Sequence, residues 1–396
     1  MPASPSEPPP LSRLPEEWAA WVQQHGGRAF HGKQVFRWIQ QRGVVAPEAM
    51  TDLPAGLRRT MGEQGVGPVL EVTTVRRAMD HTRKALVQFR DGATVETVLI
   101  PGVTGRRKAN MPQEQDIDAD AAAAVDDDDD APGTGAEGAE EAVRVSQCIS
   151  TQVGCAMGCV FCASGVAGLK RHLGPDEIIA QILAGKALLD ADERLRNIVL
   201  MGMGEPLHNY DATARALKLM THPDGLGLSA RRVTVSTSGL VPEIERLGKD
   251  FAGNIGLAIS LHAADDETRS RLMPINKKYP LPKLMDALRA YPLPPRRRIT
   301  IEYTLVRGKN DTVEEAQKLA RLLRGLPVKV NLIPMNPIEA SSLGPPSNGG
   351  VIAFQNVLVQ AGYSCFVRKR RGDDVAAACG QLALLGAKPK VRVDRH

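Results

Sequence analysis

From residue 143 onward the chain alternates short apolar runs with helical runs, and this rhythm restricts the fold more than any other feature. Strand-like runs fall at 143–150, 197–201, 232–236, 255–261, 298–305, 328–333 and 365–369. Runs with helical spacing separate them, near 175–189, 210–221, 241–249, 265–272, 281–290, 312–324 and 349–361. Repeated strand–helix units imply a parallel sheet with helices outside it. With six or seven units the expected class is α/β, an open partial (βα)6-type barrel. Functional groups in such folds gather at the C-terminal ends of the strands.

The first of those ends carries Cys155-Ala-Met-Gly-Cys-Val-Phe-Cys162, three thiols at spacing C-x3-C-x2-C. The chain has six cysteines in 396 residues, so half of them are concentrated in eight positions. Three soft ligands can hold three irons of a cubane cluster and leave the fourth iron open to a small molecule. Zinc is the competing reading, but a closed zinc site needs a fourth ligand and the chain has no second C-x2-C. Clustered thiols also point to a reducing compartment rather than to structural disulfides. The second strand runs into Asn197-Ile-Val-Leu-Met-Gly-Met-Gly-Glu-Pro-Leu207, where Glu205 is suited to accept hydrogen bonds from an ammonium group.

Ahead of the alternation lies a different composition. Residues 1–13 are Pro/Ser-rich, without the apolar core of a signal peptide, and are expected to be a disordered leader. Residues 14–102 read as an α+β accessory domain. Helices run to about 61, strands follow at 69–77, 85–90 and 94–100, and Asp91-Gly92 makes the hairpin turn. Residues 103–142 are low-complexity and are expected to be a disordered insert. Between Ala109 and Val143 there are twelve acids and no Lys or Arg; setting them aside turns a net charge of +5 into +17. A body that basic suits a phosphate-rich partner, or is simply a well-solvated surface. The insert is either a tolerated surface loop or a nucleic-acid mimic over a basic groove. The barrel is expected over 143–385, with a basic tail at 386–396. No run of eighteen apolar residues occurs, so a protein of the cytoplasm without membrane association is expected.

Together these stretches resemble the radical S-adenosylmethionine superfamily, and within it the 23S rRNA (adenine-C2)-methyltransferase family. The resemblance rests on Gln152-Val-Gly-Cys-Ala-Met-Gly-Cys-Val-Phe-Cys162, Gly202-Met-Gly-Glu-Pro206, Arg232-Val-Thr-Val-Ser-Thr-Ser-Gly239, Ile259-Ser-Leu-His-Ala263, Pro274-Ile-Asn-Lys-Lys-Tyr279, Asn331-Leu-Ile-Pro-Met-Asn-Pro337 and Val367-Arg-Lys-Arg-Arg-Gly-Asp-Asp374. It implies that Cys155, Cys159 and Cys162 bind a [4Fe-4S] cluster. It also implies that Gly204, Glu205, Ser236, Ser260, Leu261, His262 and Asn336 contact S-adenosylmethionine, two molecules of which are used per turnover. Cys379 would carry the methyl group, Cys148 would form a transient disulfide with it, and Glu96 would take the C2 proton. The substrates implied are 23S rRNA at adenosine 2503 and some tRNAs at adenosine 37. An electron donor such as flavodoxin is implied as a partner, and the chain is expected to be a monomer. Adenine C2 is electron-poor and will not attack a sulfonium methyl, which is why a cofactor-borne radical route suits it.

Two basic groups, Arg368 to Arg371 and Arg296 to Arg298, are expected to hold RNA phosphates while one adenine is splayed into the site. Cys365 is read as a core residue. Leu169 and His172 depart from the Phe and Asn of the resembled family. Two rival readings remain: a sister enzyme that methylates C8 of the same adenine, and a non-catalytic iron–sulfur or zinc RNA-binding protein.

Overall fold

The computed structural model describes residues 7–102, 142–338, 341–368 and 370–382. Most of the acidic insert, the first residues of the leader and the basic tail lie outside the described residues. The described part of the leader is ordered, contrary to expectation. A 3-10 turn at Pro10–Ser12 buries Leu11, and the Arg13 guanidinium lies 5.0 Å from the Trp18 ring. An apolar residue and a cation over an aromatic face hold the segment down where composition suggested disorder.

Three helices follow: α1 (Pro15–Gln24), α2 (Ala29–Gln40) and α3 (Ala55–Glu63). Glu17 closes the first turn of α1 by accepting the Leu14 N–H at 2.7 Å. Val35, Phe36 and Ile39 are fully buried on one side of α2, at the spacing an amphipathic helix requires. Strands β1 (Leu70–Arg77), β2 (Arg83–Phe89) and β3 (Thr94–Pro101) form an antiparallel meander. Its tight turn has Gly92 at φ +81°, a conformation that favours glycine.

The meander continues the barrel sheet. β3 pairs antiparallel with β4 (Val143–Cys148), with Val98 opposite Cys148. A two-stranded ribbon, β5 (Gln152–Val153) with β6 (Arg171–His172), and the short helix α4 (Ala163–Ala167) frame the cysteine stretch. The remaining elements alternate: α5 (Pro175–Ala187), β7 (Glu193–Leu200), α6 (Tyr210–Thr221), β8 (Val233–Thr237), α7 (Val241–Phe251), β9 (Gly256–Ser260), α8 (Asp266–Leu272), α9 (Leu281–Ala290), β10 (Ile299–Leu305), α10 (Val313–Leu322), β11 (Val328–Pro334), α11 (Asn348–Gln360) and β12 (Ser364–Val367). Strand order is β1-β2-β3-β4-β7-β8-β9-β10-β11-β12, with everything from β4 onward parallel. Six helical crossovers therefore join seven parallel strands, the partial barrel the alternation predicts. All seven residues of β10 are buried, as expected of a parallel strand covered on both faces. No described helix is long and apolar enough to cross a membrane.

A buried ion pair fastens the meander to the barrel. Arg83 on β2 donates to the Glu193 carboxylate on β7 at 2.5 Å and to the Leu188 carbonyl at 2.8 Å; both charged side chains are almost fully buried.

Candidate active site

The loop after β4 is shaped by glycine before it is shaped by cysteine. Gly154 has φ +78°, and a Cβ there would come within 2.0 Å of the Gly168 carbonyl oxygen. A Cβ on Gly165, in α4, would meet the Cys159 backbone at 2.9 Å. These close approaches seat the loop on the barrel mouth, where Cys155, Cys159 and Cys162 line one open cavity of about 160 Å³.

Burial pushes all three thiols up: Cys155 to about 12, Cys159 well above its ordinary range, and Cys162 in the same direction. After burial, the next cause for Cys155 is Cys162, and for Cys159 it is Cys162 and then Cys155. Three thiolates that repel one another in a buried wall need a polycation to ionise together, and an iron–sulfur cluster answers that need. Among the described residues, no three His, Cys, Asp or Glu side chains converge as a single-ion site would require. The donor set fits a cubane, whose irons take one thiolate each, better than it fits one zinc ion.

Beside the thiols, Gly204, Glu205, Ser236, Ser260, His262 and Asn336 line the same cavity. Glu205 is buried. Its carboxylate accepts hydrogen bonds from the Ser238 N–H (2.7 Å), the Ser238 hydroxyl (2.8 Å) and the Leu207 N–H (3.1 Å). Burial raises its pKa and the Ser238 bonds act the other way. The loop approaches its neighbours closely: Gly204 has φ +104°, and a Cβ there would fall 2.6 to 2.8 Å from Gln152. His262 accepts the Thr304 N–H on Nδ1 at 2.8 Å, so its proton sits on Nε2. Asn336 donates from Nδ2 to the Cys379 carbonyl at 2.9 Å. Its Oδ1 is buried without a partner among the described residues, and so is Oε2 of Glu302 on β10. Two orphaned acceptors beside one cavity are what a donor-bearing ligand such as S-adenosylmethionine would satisfy. Leu261 stands apart: it is fully buried behind the cavity wall, with its N–H on the Glu302 carbonyl.

Cys379 lines the cavity too and reaches solvent at its mouth. Cys148 is buried at the end of β4. Burial pushes the Cys148 thiol to about 12, and Cys379 adds to that push while Arg368 opposes it. The Cys379 thiol is raised by burial, again against Arg368. The two thiols are therefore within electrostatic reach of each other, and both are free. Glu96, two residues before the Val98 that pairs Cys148, forms an ion pair with Lys84 at 2.9 Å and is not part of the cavity lining. Cys365 is buried in β12, as expected of a core residue.

Comparison with known proteins locates this architecture. The model of the radical SAM superfamily matches residues 149–323, and that of the ribosomal RNA large subunit methyltransferase N-terminal domain matches 14–65. A dual-specificity RNA methyltransferase RlmN of Sorangium cellulosum is 68% identical over 97% of each chain. The chain belongs to the RlmN family of radical S-adenosylmethionine RNA methyltransferases. An RlmN protein of Geobacter sulfurreducens is 43% identical over 90% of this chain and 87% of its own. The crystal structure of a radical SAM methyltransferase from Sphaerobacter thermophilus superposes with a TM-score of 0.80 at 37% identity, covering 94% of this chain and 98% of that one. Membership in the RlmN family implies a [4Fe-4S] cluster and S-adenosylmethionine.

The basic residues near the site make contacts of their own within the fold. Arg368 is turned inward to Glu302 (3.4 Å), and Arg371 meets Asp80 at 3.7 Å. Arg370 donates to the Met335 carbonyl. Arg296 to Arg298 precede β10 and so lie at the rim opposite the cavity. Each of Arg368 and Arg371 thus has a carboxylate beside it, a pairing invisible in a run of four basic letters. Sequence reasoning missed Ser238, Glu302, Asn331 and Arg269. Arg269 on α8 donates to the carbonyls of Leu261 (3.0 Å) and Ser238 (2.7 Å) and so fixes two loops of the cavity. Ser238 and Asn331, which donates to the Glu302 carboxylate at 2.9 Å, fall inside the quoted motifs without being singled out, while Glu302 and Arg269 lie outside them and meet their partners only in the fold.

Proposed function

We propose that the protein methylates C2 of adenine in 23S rRNA, at the adenosine 2503 position, and in tRNA at adenosine 37, through an S-methylcysteine on Cys379. The observation that carries the reading is that Cys379 lines the same cavity as the three cysteines suited to the cluster, with Cys148 behind it. Cys155, Cys159 and Cys162 would hold the cluster, which would supply one-electron reduction of S-adenosylmethionine from a donor such as flavodoxin.

The chain's own residues do the rest. Glu205 receives the ammonium group of S-adenosylmethionine, with Gly204, Ser236, Ser260, His262 and Asn336 lining the pocket around it and Leu261 packed among the buried residues next to Ser260 and His262. Cys379 sulfur takes a methyl group from a first S-adenosylmethionine: the S–CH3 bond forms, the sulfonium bond breaks, and the thiol proton leaves. A second S-adenosylmethionine would accept the hydrogen atom that the S-methyl carbon loses, ending as methionine and 5′-deoxyadenosine, so that this carbon bonds to C2 and the electron supplied for the cleavage is returned from the adduct. Glu96 then accepts the C2 proton. Cys148 attacks the Cys379 sulfur, so an S–S bond forms as the C–S bond to RNA breaks. The released carbon keeps the electron pair and takes a proton to become the methyl product. The enzyme acts as a monomer in the cytoplasm.

The test is anaerobic reconstitution with S-adenosylmethionine, reductant and RNA, followed by mass spectrometry of nucleosides. 2-Methyladenosine is the expected product. 8-Methyladenosine without it would sink the C2 assignment in favour of the sister activity.

A further inference from the structure

Lys84 is a half-buried cation of the β1–β2 hairpin, outside the radical SAM barrel. It stands opposite Val98 on β3, which in turn stands opposite Cys148 on β4, so the three share one row across the sheet. Its ammonium lies 2.9 Å from Oε1 of Glu96 and donates to the Ala376 carbonyl at 3.1 Å. The Lys84 and Glu96 side chains are only 11% and 12% exposed. Ala376 lies three residues before Cys379 and has φ +51°, an unusual conformation for a residue with a Cβ.

The hairpin grips the Cys379 loop at further points. Asp80 accepts the Gly372 N–H at 3.2 Å and meets Arg371 at 3.7 Å, and Asp374 accepts the Met79 N–H at 3.1 Å. The loop's other flank is fixed to the barrel through Ala163 to the Gly380 carbonyl (2.9 Å) and Ser164 to the Leu382 carbonyl (2.6 Å). Among these contacts, the Lys84 ammonium joins the Glu96 carboxylate directly to the loop that carries Cys379.

We propose that Lys84 is a positioning residue that couples the Glu96 carboxylate to the Cys379 loop. One ammonium then sets the distance between the group that takes the C2 proton and the thiol that delivers the methyl carbon. Two charge-assisted bonds from a shielded ammonium are strong and directional, whereas a methionine of similar shape leaves the carboxylate and the Ala376 carbonyl without that donor. The inference rests on the roles given above to Glu96 and Cys379.

The test compares wild type, Lys84→Met, Lys84→Arg and Glu96→Gln in the full chain, reconstituted anaerobically with matched cluster content. Three quantities are read: S-methyl occupancy of Cys379 by peptide mass spectrometry, covalent RNA–protein species on denaturing gels, and 2-methyladenosine at saturating RNA. Loss of a positioned general base costs roughly 10²-fold or more. Lys84→Met is expected to lose at least about tenfold in 2-methyladenosine beyond any loss in Cys379 methylation, and to accumulate the covalent species as Glu96→Gln does. Lys84→Arg, which keeps a donor cation, is expected to recover most of the turnover. Lys84→Met forming 2-methyladenosine at the wild-type rate overturns the proposal. So does a loss that falls equally on Cys379 methylation, which marks a merely structural role. Absence of S-methyl-Cys379 from the wild-type enzyme is the separate failure: it removes the reading beneath the proposal, and the proposal with it.

Discussion

Cys148 and Cys379 have the same chemistry and different surroundings, and their assigned roles follow from that difference. Cys379 reaches solvent at the cavity mouth, while Cys148 is shut in at the end of β4; burial raises both thiols, Cys148 to about 12. An enclosed thiol is kept from other partners until the adduct is in place, which suits the last step of the proposed scheme. Cys379→Ser is expected to abolish 2-methyladenosine, and Cys148→Ser to stall as an RNA–protein adduct visible on a denaturing gel. Methylation at the wild-type rate by either variant would contradict the two-thiol scheme. His262 offers a test by pH. Burial first, then Arg269, depresses its pKa to about 3, so the folded protein keeps it neutral where the unfolded chain binds a proton below about 6.5. Its contribution to stability is complete above that value and is lost as pH falls toward 3. Going from pH 7 to pH 5 should cost about 2 kcal/mol from this residue alone. Urea titrations at the two pH values should show that increment in the wild type and its absence in His262→Gln.

At the scale of elements, the contact between meander and barrel depends on a charge pair that water does not reach. Removing one partner strands the other, so Arg83→Met should cost about 3–5 kcal/mol. The same urea titration, read as a shift in midpoint at unchanged slope, checks it. The seven parallel strands were legible because each is a short apolar run bounded by helical spacing. The cysteine stretch was legible because three thiols in eight residues are rare. Arg83 and Glu193 were not, since a pair 110 residues apart has no local signature. The pairing of β3 with β4 was hidden too, because an acidic stretch separates two strands that lie side by side. At the site, spacing and resemblance reached the residues on the strand ends. They could not tell that Leu261 is left out of the cavity lining or that Arg368 pairs with Glu302, because both depend on which way a side chain points.

For the molecule as a whole, the acidic stretch can be tested apart from the fold. The chain leaves β3 and re-enters β4 at paired positions: Pro101 stands opposite Val145, and the Gly102 N–H donates to the Arg144 carbonyl at 2.7 Å. Strand register holds those ends together, and each doubling of a loop's length costs only about 0.6 kcal/mol. Replacing residues 109–141 with a short Gly-Ser turn should therefore leave the melting temperature within about 2 °C of wild type, a shift of roughly 1.5 kcal/mol at most. The electrostatic consequence is larger. The replacement removes twelve carboxylates and no basic residue, taking the net charge from +5 to +17. If those carboxylates compete with RNA phosphates for the basic body, the variant binds RNA more tightly at low salt and shows a steeper fall of affinity with salt. The difference then fades as ionic strength rises and screening shortens the reach of each charge. Filter binding of an RNA fragment across a salt series reads this directly. Identical curves for the two proteins would show that the acids do not contend with RNA and would leave the segment as a tolerated insertion between two paired strands.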